Sequence, residues 1–284
     1  MTLPPFDLHR ATSVEEAREL LLRYGDDAAV VCGGTELLLL MKLGYAGYGH
    51  LVDIRAVGEL RGISLDDGAL VIGATTTHRE LERSPVVLER LPALAAMERR
   101  VANLRVRNVG TIGGNLCFSD PHSDPATFLL ALDAEVEWDG RRAALADFLV
   151  GPYQTKLEQG QLLRTVRVPL PESGTAVAHR RLAFHERPAA TVTCAVRVGN
   201  GLVADVRIAV GSVGAVAVRA VEAEARLSGR STSDAASLDE AADLAAQASA
   251  PVDDANGSAE YKAQLVRVLV RRCFDEAAAR AAAT

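Results

Sequence analysis

At 284 residues, 49% of them hydrophobic and 24% charged, the chain is long enough for one large or two ordinary domains. A formal net charge of −6 and the lack of any face-long Lys/Arg cluster exclude a nucleic-acid footprint. The longest apolar stretch, residues 37–41, excludes a membrane helix, which needs about 20 apolar residues.

The opening MTLPPFDLHRATS has no basic stretch followed by an apolar run, so the expectation is a cytoplasmic chain without a signal peptide. Ser13, with Glu16 three residues on, reads as a capping box that starts a helix, and Gly25 closes it. Residues 28–32 read as a short buried strand that Gly33 and Gly34 break. Thr35 is then expected to cap a helix over 36–43, stopped by Gly44, with a strand at 50–54. Residues 62–65 and 69–73, joined by Asp67-Gly68, carry a hairpin signature. Thr77 to Glu80 is a second capping box, in which His78 takes an ordinary helix-start role, and residues 91–100 are expected to be helical.

Residues 110–115, GTIGGN, read as a loop whose glycines lower local stability, and an apolar helix follows with Ser123 as its cap. Glu135 to Trp138 and Arg141 to Ala144 form another Asp-Gly hairpin, and residues 161–168 a further strand. Hairpins interrupting the helix–strand alternation indicate α+β rather than a doubly wound parallel sheet. After Pro171 come strands at 191–198 and 202–210 joined by Asn200-Gly201, then helices at 219–227, 234–248 and 258–282. The last helix is expected to bury Tyr261, Leu265, Val268, Leu269 and Cys273 on one stripe. The domain boundary falls near 171–178.

The four cysteines are scattered with no C-x-x-C pair, which speaks against a zinc site or an iron–sulfur cluster built by this chain alone. They read as small buried apolar residues, and no metal is expected. The two double-glycine segments share a logic. Each precedes a helix, where exposed N–H groups and the positive end of the dipole favour an anion, and glycine lets a phosphate approach the backbone. Residues 110–115 would then add a second run of N–H donors. No P-loop, G-x-G-x-x-G turn, H-E-x-x-H or nucleophile elbow is present. On the residues alone, simple tight turns remain the alternative for either segment.

VVCGGTELLLLMK (30–42), GATTTHREL (73–81) and VRNVGTIGGNLCFSDPHSDPATFLLALDAEVE (106–137) occur in that order. Together they resemble the FAD-binding medium subunit of the molybdenum hydroxylases, the family of xanthine dehydrogenases and carbon monoxide dehydrogenases, over nearly the whole chain. The resemblance implies a two-part FAD-binding domain of the vanillyl-alcohol-oxidase (PCMH) type over residues 1–174, with a break near 55–60. A C-terminal antiparallel-sheet-plus-helices domain would occupy 175–284. It implies non-covalent FAD. Val31, Cys32, Gly33, Gly34, Thr35, Glu36 and Leu37 would wrap the diphosphate and ribityl chain, and Thr111, Ile112, Gly113, Gly114 and Asn115 would form the second wall. Asp124 would hydrogen-bond FAD, with Ser119 and Asp120 in the same turn, Thr76 near the flavin, and Leu162 and Leu163 running past the isoalloxazine. Thr191 stands where xanthine dehydrogenase-like members carry a lysine near the flavin. His179 and His185 show no carboxylate pairing in the sequence.

The implied partners are a molybdopterin-containing large subunit and a [2Fe-2S] small subunit, with NAD, oxygen or another acceptor taking the electrons. No catalytic residue is assigned, because no side chain reads as a general base. A self-contained FAD-dependent oxidoreductase and a non-redox nucleotide-binding module are the rival classes.

Overall fold

The computed structural model describes residues 2–184 and 186–283. Its first sheet has three parallel strands in the order Asp7–Arg10, His50–Asp53, Ala28–Val31. The edge strand Asp7–Arg10 escapes sequence reading because DLHR is polar and mostly exposed, with no alternation to betray it. Helix Val14–Tyr24 crosses between the strands. Its Ser13 hydroxyl accepts the Glu16 N–H, but the Glu16 carboxylate turns to the N–H and hydroxyl of Thr12 instead, so only half of the expected capping box forms. Gly25 closes the helix at φ +55°.

The second sheet is antiparallel and five-stranded, in the order Ile63–Asp66, Ala69–Gly73, Leu163–Pro169, Glu135–Trp138, Arg141–Ala144. Both Asp-Gly turns adopt positive φ at each central residue, the twist that two-residue hairpins need. Phe128, Phe148, Trp138, Leu70 and Ile72 fill the core between this sheet and its helices. The expected helix over 91–100 is Pro92–Glu98, preceded by Pro85–Arg90.

A third, antiparallel sheet runs Thr175–Ala183, Pro188–Gly199, Leu202–Gly211, Val218–Arg219, with Asn200 and Gly201 both at positive φ in its central turn. Helices Val221–Leu227 and Ala259–Ala282 cover one face of it, and helix Ala235–Ala248 packs on both of them. Helix Asp124–Leu130 of the preceding unit packs on strands Pro188–Gly199 and Leu202–Gly211. A Cβ on Gly211 would lie 2.0 Å from Thr127 Oγ1, so only glycine admits this approach. The architecture is α+β, as expected. Among the described residues no helix is long and apolar enough to cross a membrane.

The final helix is rotated from the expected stripe. Leu269 and Cys273 are buried, but their companions are Val266, Val270, Phe274 and Ala277, while Tyr261 is exposed. The rotation has a polar cause: Lys262 is fully buried, with Nζ 2.5 Å from Asp254 Oδ2. Asp254 also accepts the Asn256 N–H. Burial acts against its charge, yet Lys262 and that N–H outweigh burial and hold the carboxyl below its usual range. This contribution is present above the ordinary carboxylate range and lost as pH falls through the lower folded-state value. Asp254→Ala leaves a buried ammonium unpaired and is expected to cost about 2 to 3 kcal/mol in urea unfolding. Lys262→Met should cost clearly less; equal losses would refute the pairing as the reason.

Candidate functional site

The first glycine turn leaves the sheet after Val31 and enters helix Leu37–Leu43. Thr35 does not cap this helix; Glu36 occupies the cap position and makes no side-chain cap bond. The N–H groups of Gly33, Gly34, Thr35 and Glu36 therefore find no acceptor among the described residues. Gly34 sits at φ +67°, where glycine carries no penalty. Gly33 is required for a different reason. A Cβ there would lie 2.3 Å from the Val109 oxygen and 2.7 Å from Gly110 Cα, so the two glycine segments touch backbone to backbone.

The second segment is not a loop. Thr111 caps helix Ile112–Phe118, and both glycines lie in its first turn. The Ile112 N–H donates to Thr76 O at 3.0 Å, Gly113 to Ala74 O at 2.9 Å and Asn115 to Thr111 O at 2.9 Å. Gly114 donates to the Thr111 hydroxyl at 3.1 Å. Most of the expected second run of donors is thus consumed inside the chain; among the described residues only the Thr111 N–H of that segment is left without an acceptor, beside those of the first turn. Gly113 is pressed against Ala74, whose oxygen would be 2.5 Å from a Cβ, whereas a Cβ on Gly114 would meet only the Thr111 hydroxyl. Asn115 accepts the Ser123 hydroxyl at 2.6 Å, and Ser123 in turn caps helix Asp124–Leu130.

Between these segments lies a cleft of about 360 Å³. Its walls bring together Val31, Cys32, Gly33, Gly34, Thr35, Glu36 and Leu37 with Thr111, Gly113, Gly114, Asn115, Asp120, Asp124, Leu162 and Leu163. Three expected residues stand apart from that lining. Ile112 is buried in the core, the Thr76 hydroxyl donates to Gly62 O, and the Ser119 hydroxyl donates to Gly151 O. Val101, Val106, Leu157 and Pro125 extend the apolar part of the wall. Cys32 and Cys117 line the cleft, each half-buried against a core cluster, while Cys194 and Cys273 are fully buried. Burial pushes the Cys32 thiol above its usual range, so it remains a neutral thiol.

Charges come from both halves of the chain. Asp124 is 4% exposed; its Oδ2 lies 2.5 Å from Arg181 Nη1 and its Oδ1 3.4 Å from His179 Nε2. His179 therefore does face a carboxylate, across 55 residues of sequence that hide the pairing. Thr193 holds the other ring nitrogen at 2.8 Å. His185 lies outside the described residues. Thr191 is fully buried and bonds Thr127 and Ser212 at 3.1 and 3.2 Å. Arg187, which sequence reasoning missed, spans the cleft mouth: its Nη2 is 3.2 Å from Glu36 and 3.1 Å from Asp120. Burial raises the Glu36 carboxyl above its usual range despite Arg187. Burial also opposes charge on Asp120, but the His122 ring, the His122 N–H and Arg187 bring that carboxyl below its usual range. His78 lines the cleft as well, its Nδ1 2.7 Å from Glu98 Oε2. The only local sequence signal at His78 is a capping box, which explains its backbone and not its ring.

Comparison with known proteins gives a consistent result. Residues 4–171 match the family described as the FAD binding domain in molybdopterin dehydrogenase, and residues 178–277 the CO dehydrogenase flavoprotein C-terminal domain. The carbon monoxide dehydrogenase medium chain of Hydrogenophaga pseudoflava is 38% identical, the alignment covering 99% of this chain and 100% of that one. The 6-hydroxypseudooxynicotine dehydrogenase complex subunit alpha of Paenarthrobacter nicotinovorans is 34% identical, with 100% of this chain and 98% of that one covered. A solved structure of carbon monoxide dehydrogenase from Hydrogenophaga pseudoflava, lacking the Mo-pyranopterin moiety of its cofactor, superposes with a TM-score of 0.95 at 36% identity, over 99% of each chain.

The glycine contacts order the substitutions. Gly33→Ala forces a rigid backbone contact apart and is expected to cost about 3 kcal/mol. Gly114→Ala disturbs only a helix cap and should cost about 1 kcal/mol. Urea unfolding of the two variants checks this; the reverse order would show that the two turns are not held by backbone contact.

Proposed function

We propose, from the premise that this chain belongs to the FAD-binding flavoprotein family of the molybdopterin dehydrogenases, a specific way in which it holds its cofactor and a place for it in electron transfer. The chain is an FAD-binding oxidoreductase subunit of the medium-chain type. In our reading the diphosphate sits at the N–H groups of Gly33, Gly34, Thr35 and Glu36. These neutral, pre-oriented donors suit a dianion in a chain of net charge −6. The single observation that carries this reading is that these four donors have no acceptor among the described residues while their residues line the cleft.

Gly114 leaves room on the opposite wall, and the side chains of Asn115 and Asp124 face the same space. Arg181 and His179 keep the Asp124 carboxylate oriented as an acceptor for a cofactor hydroxyl or N–H. Leu157, Leu162 and Leu163 exclude water from the part of the cleft that would take the flavin ring. Thr76, Ile112 and Ser119 support this wall from behind. When bound, FAD supplies two-electron and one-electron redox chemistry; the protein binds, orients and shields it.

We infer that the electrons arrive from a [2Fe-2S] small subunit, which receives them from a molybdopterin-containing large subunit, and that they leave to NAD, oxygen or another acceptor. That one relative is named a medium chain and another a subunit of a dehydrogenase complex supports such partners. We assign residues 1–174 to the FAD-binding domain, with a break near 55–60, and 175–284 to the C-terminal domain.

The test is visible absorption of the purified chain after FAD addition and gel filtration. Retained flavin bands that bleach with dithionite and return in air are expected; a folded chain that retains none, with or without copurified partner chains, would overturn the reading. Gly114→Val is expected to abolish flavin retention while circular dichroism stays native. Asp124→Ala should weaken retention less, by about tenfold in affinity, the effect of one lost hydrogen bond of about 1.4 kcal/mol.

A further inference from the structure

Arg187 joins three separate segments of the chain. It stands between strands Thr175–Ala183 and Pro188–Gly199 of the third sheet. Its Nη2 donates to Glu36 Oε2 at 3.2 Å and lies 3.1 Å from Asp120 Oδ2. Glu36 ends the first glycine turn, and Asp120 follows helix Ile112–Phe118, so one guanidinium bridges both walls. Exposure sets the level of that bridge. Val31, Thr111, Asp124, Leu162 and Leu163 of the lining are buried, whereas the side chains of Arg187 and Glu36 are 50% and 37% exposed. The bridge therefore crosses the solvent end of the cleft.

Its three attachments are held unequally. Asp120 accepts the His122 N–H at 2.9 Å and meets the His122 ring at 3.1 Å, and that ring reaches Asn256 and Asp254. The base of Arg187 is fixed through its neighbour Glu186. There Oε1 accepts Asn103 Nδ2 at 2.8 Å, and the carbonyl accepts Arg181 Nη2 at 2.9 Å. Glu36 is the loose end. Among the described residues its carboxylate has no hydrogen-bond or ion-pair partner but Arg187, and it belongs to the turn whose N–H groups are unspent. Burial, and to a lesser degree the charge of Asp120, raise the Glu36 carboxyl while Arg187 lowers it. Two carboxylates thus face one guanidinium across the mouth, and removing it would turn attraction into repulsion.

We infer that Arg187 is the latch of the cofactor site: its bond to Glu36 closes the mouth beside the diphosphate turn, and FAD enters and leaves when that bond is broken. This inference rests on the placement of the diphosphate proposed above. A ligand with a ring system at each end of its diphosphate cannot thread lengthwise beneath a closed bar, so it passes only through an open mouth. The same bond is broken for entry and for exit and re-forms after either. The latch therefore governs the rates of exchange more than the affinity. Because both ion pairs of Arg187 are partly exposed, salt weakens them and speeds exchange.

Stopped-flow flavin fluorescence of the full chain gives the rate of FAD association, and an excess of a second flavin-binding protein as trap gives the rate of release. Arg187→Gln should speed both rates about tenfold, the loss of two partly exposed ion pairs, while the dissociation constant changes less than about threefold. Glu36→Gln should do the same with its backbone N–H intact, which keeps the test sound if Arg187→Gln fails to fold. Asp120→Asn spares the bond to Glu36 and should act less. Arg187→Lys keeps the charge and should restore most of the wild-type behaviour. Rising salt should speed exchange in the wild type and leave Arg187→Gln unchanged.

Wild-type exchange rates in folded Arg187→Gln or Glu36→Gln would overturn the inference. Faster release with slower association in Arg187→Gln would make Arg187 a direct ligand of the diphosphate and overturn the latch as well. Wild-type protein that binds no FAD at any salt concentration would instead overturn the cofactor placement itself, before any variant is compared.

Discussion

The contact on which the site depends is the one between Gly33 and the backbone of Val109 and Gly110. At 2.3 Å from a hypothetical Cβ to the Val109 oxygen, no side chain of any size fits. The turn between the first sheet and helix Leu37–Leu43 is thereby pressed against the end of helix Leu104–Val109, just ahead of the glycine-bearing helix Ile112–Phe118. That approach creates the cleft, and it gives the two glycine segments different tasks. The first keeps its N–H groups free. The second is welded into the fold through Thr76, Ala74 and its own cap. Glycine here serves chain-to-chain contact at least as much as ligand approach.

The electrostatics follow from that division. In the proposed placement of the diphosphate, neutral amide donors carry most of the work of meeting an anion, so no lysine cluster is required. Arg187, which lines the cleft, and Arg181, which holds the lining residue Asp124, come from the third sheet or its edge, and each is already matched to a carboxylate of the first 124 residues. The C-terminal unit thus completes the charge balance of a site whose floor it does not build.

Much of this was legible in the sequence. Asp67-Gly68, Asp139-Gly140 and Asn200-Gly201 announce their hairpins because the backbone demands positive φ there. The double glycines mark both cleft walls. The unread parts are those set by distant partners. The shift of the last helix follows from Lys262 finding Asp254, a pairing no hydrophobic period reveals. His179 meets Asp124, and Arg187 meets Glu36, only once the C-terminal unit has packed on the residues that precede it. Whether an N–H is free or spent is likewise a property of neighbours: Gly113 and Gly33 look alike in sequence, yet one donor is bonded and the other is not.

The seat of helix Asp124–Leu130 has a consequence for how such chains can be recombined. Gly211 yields the space that Thr127 fills, Thr191 bonds Thr127, and Arg181 reaches Asp124 one turn earlier. One short helix is therefore read at three points by the C-terminal sheet. The two units are not interchangeable cassettes: a chimera joined at the linker between them inherits a mismatched socket unless that helix travels with the sheet that receives it.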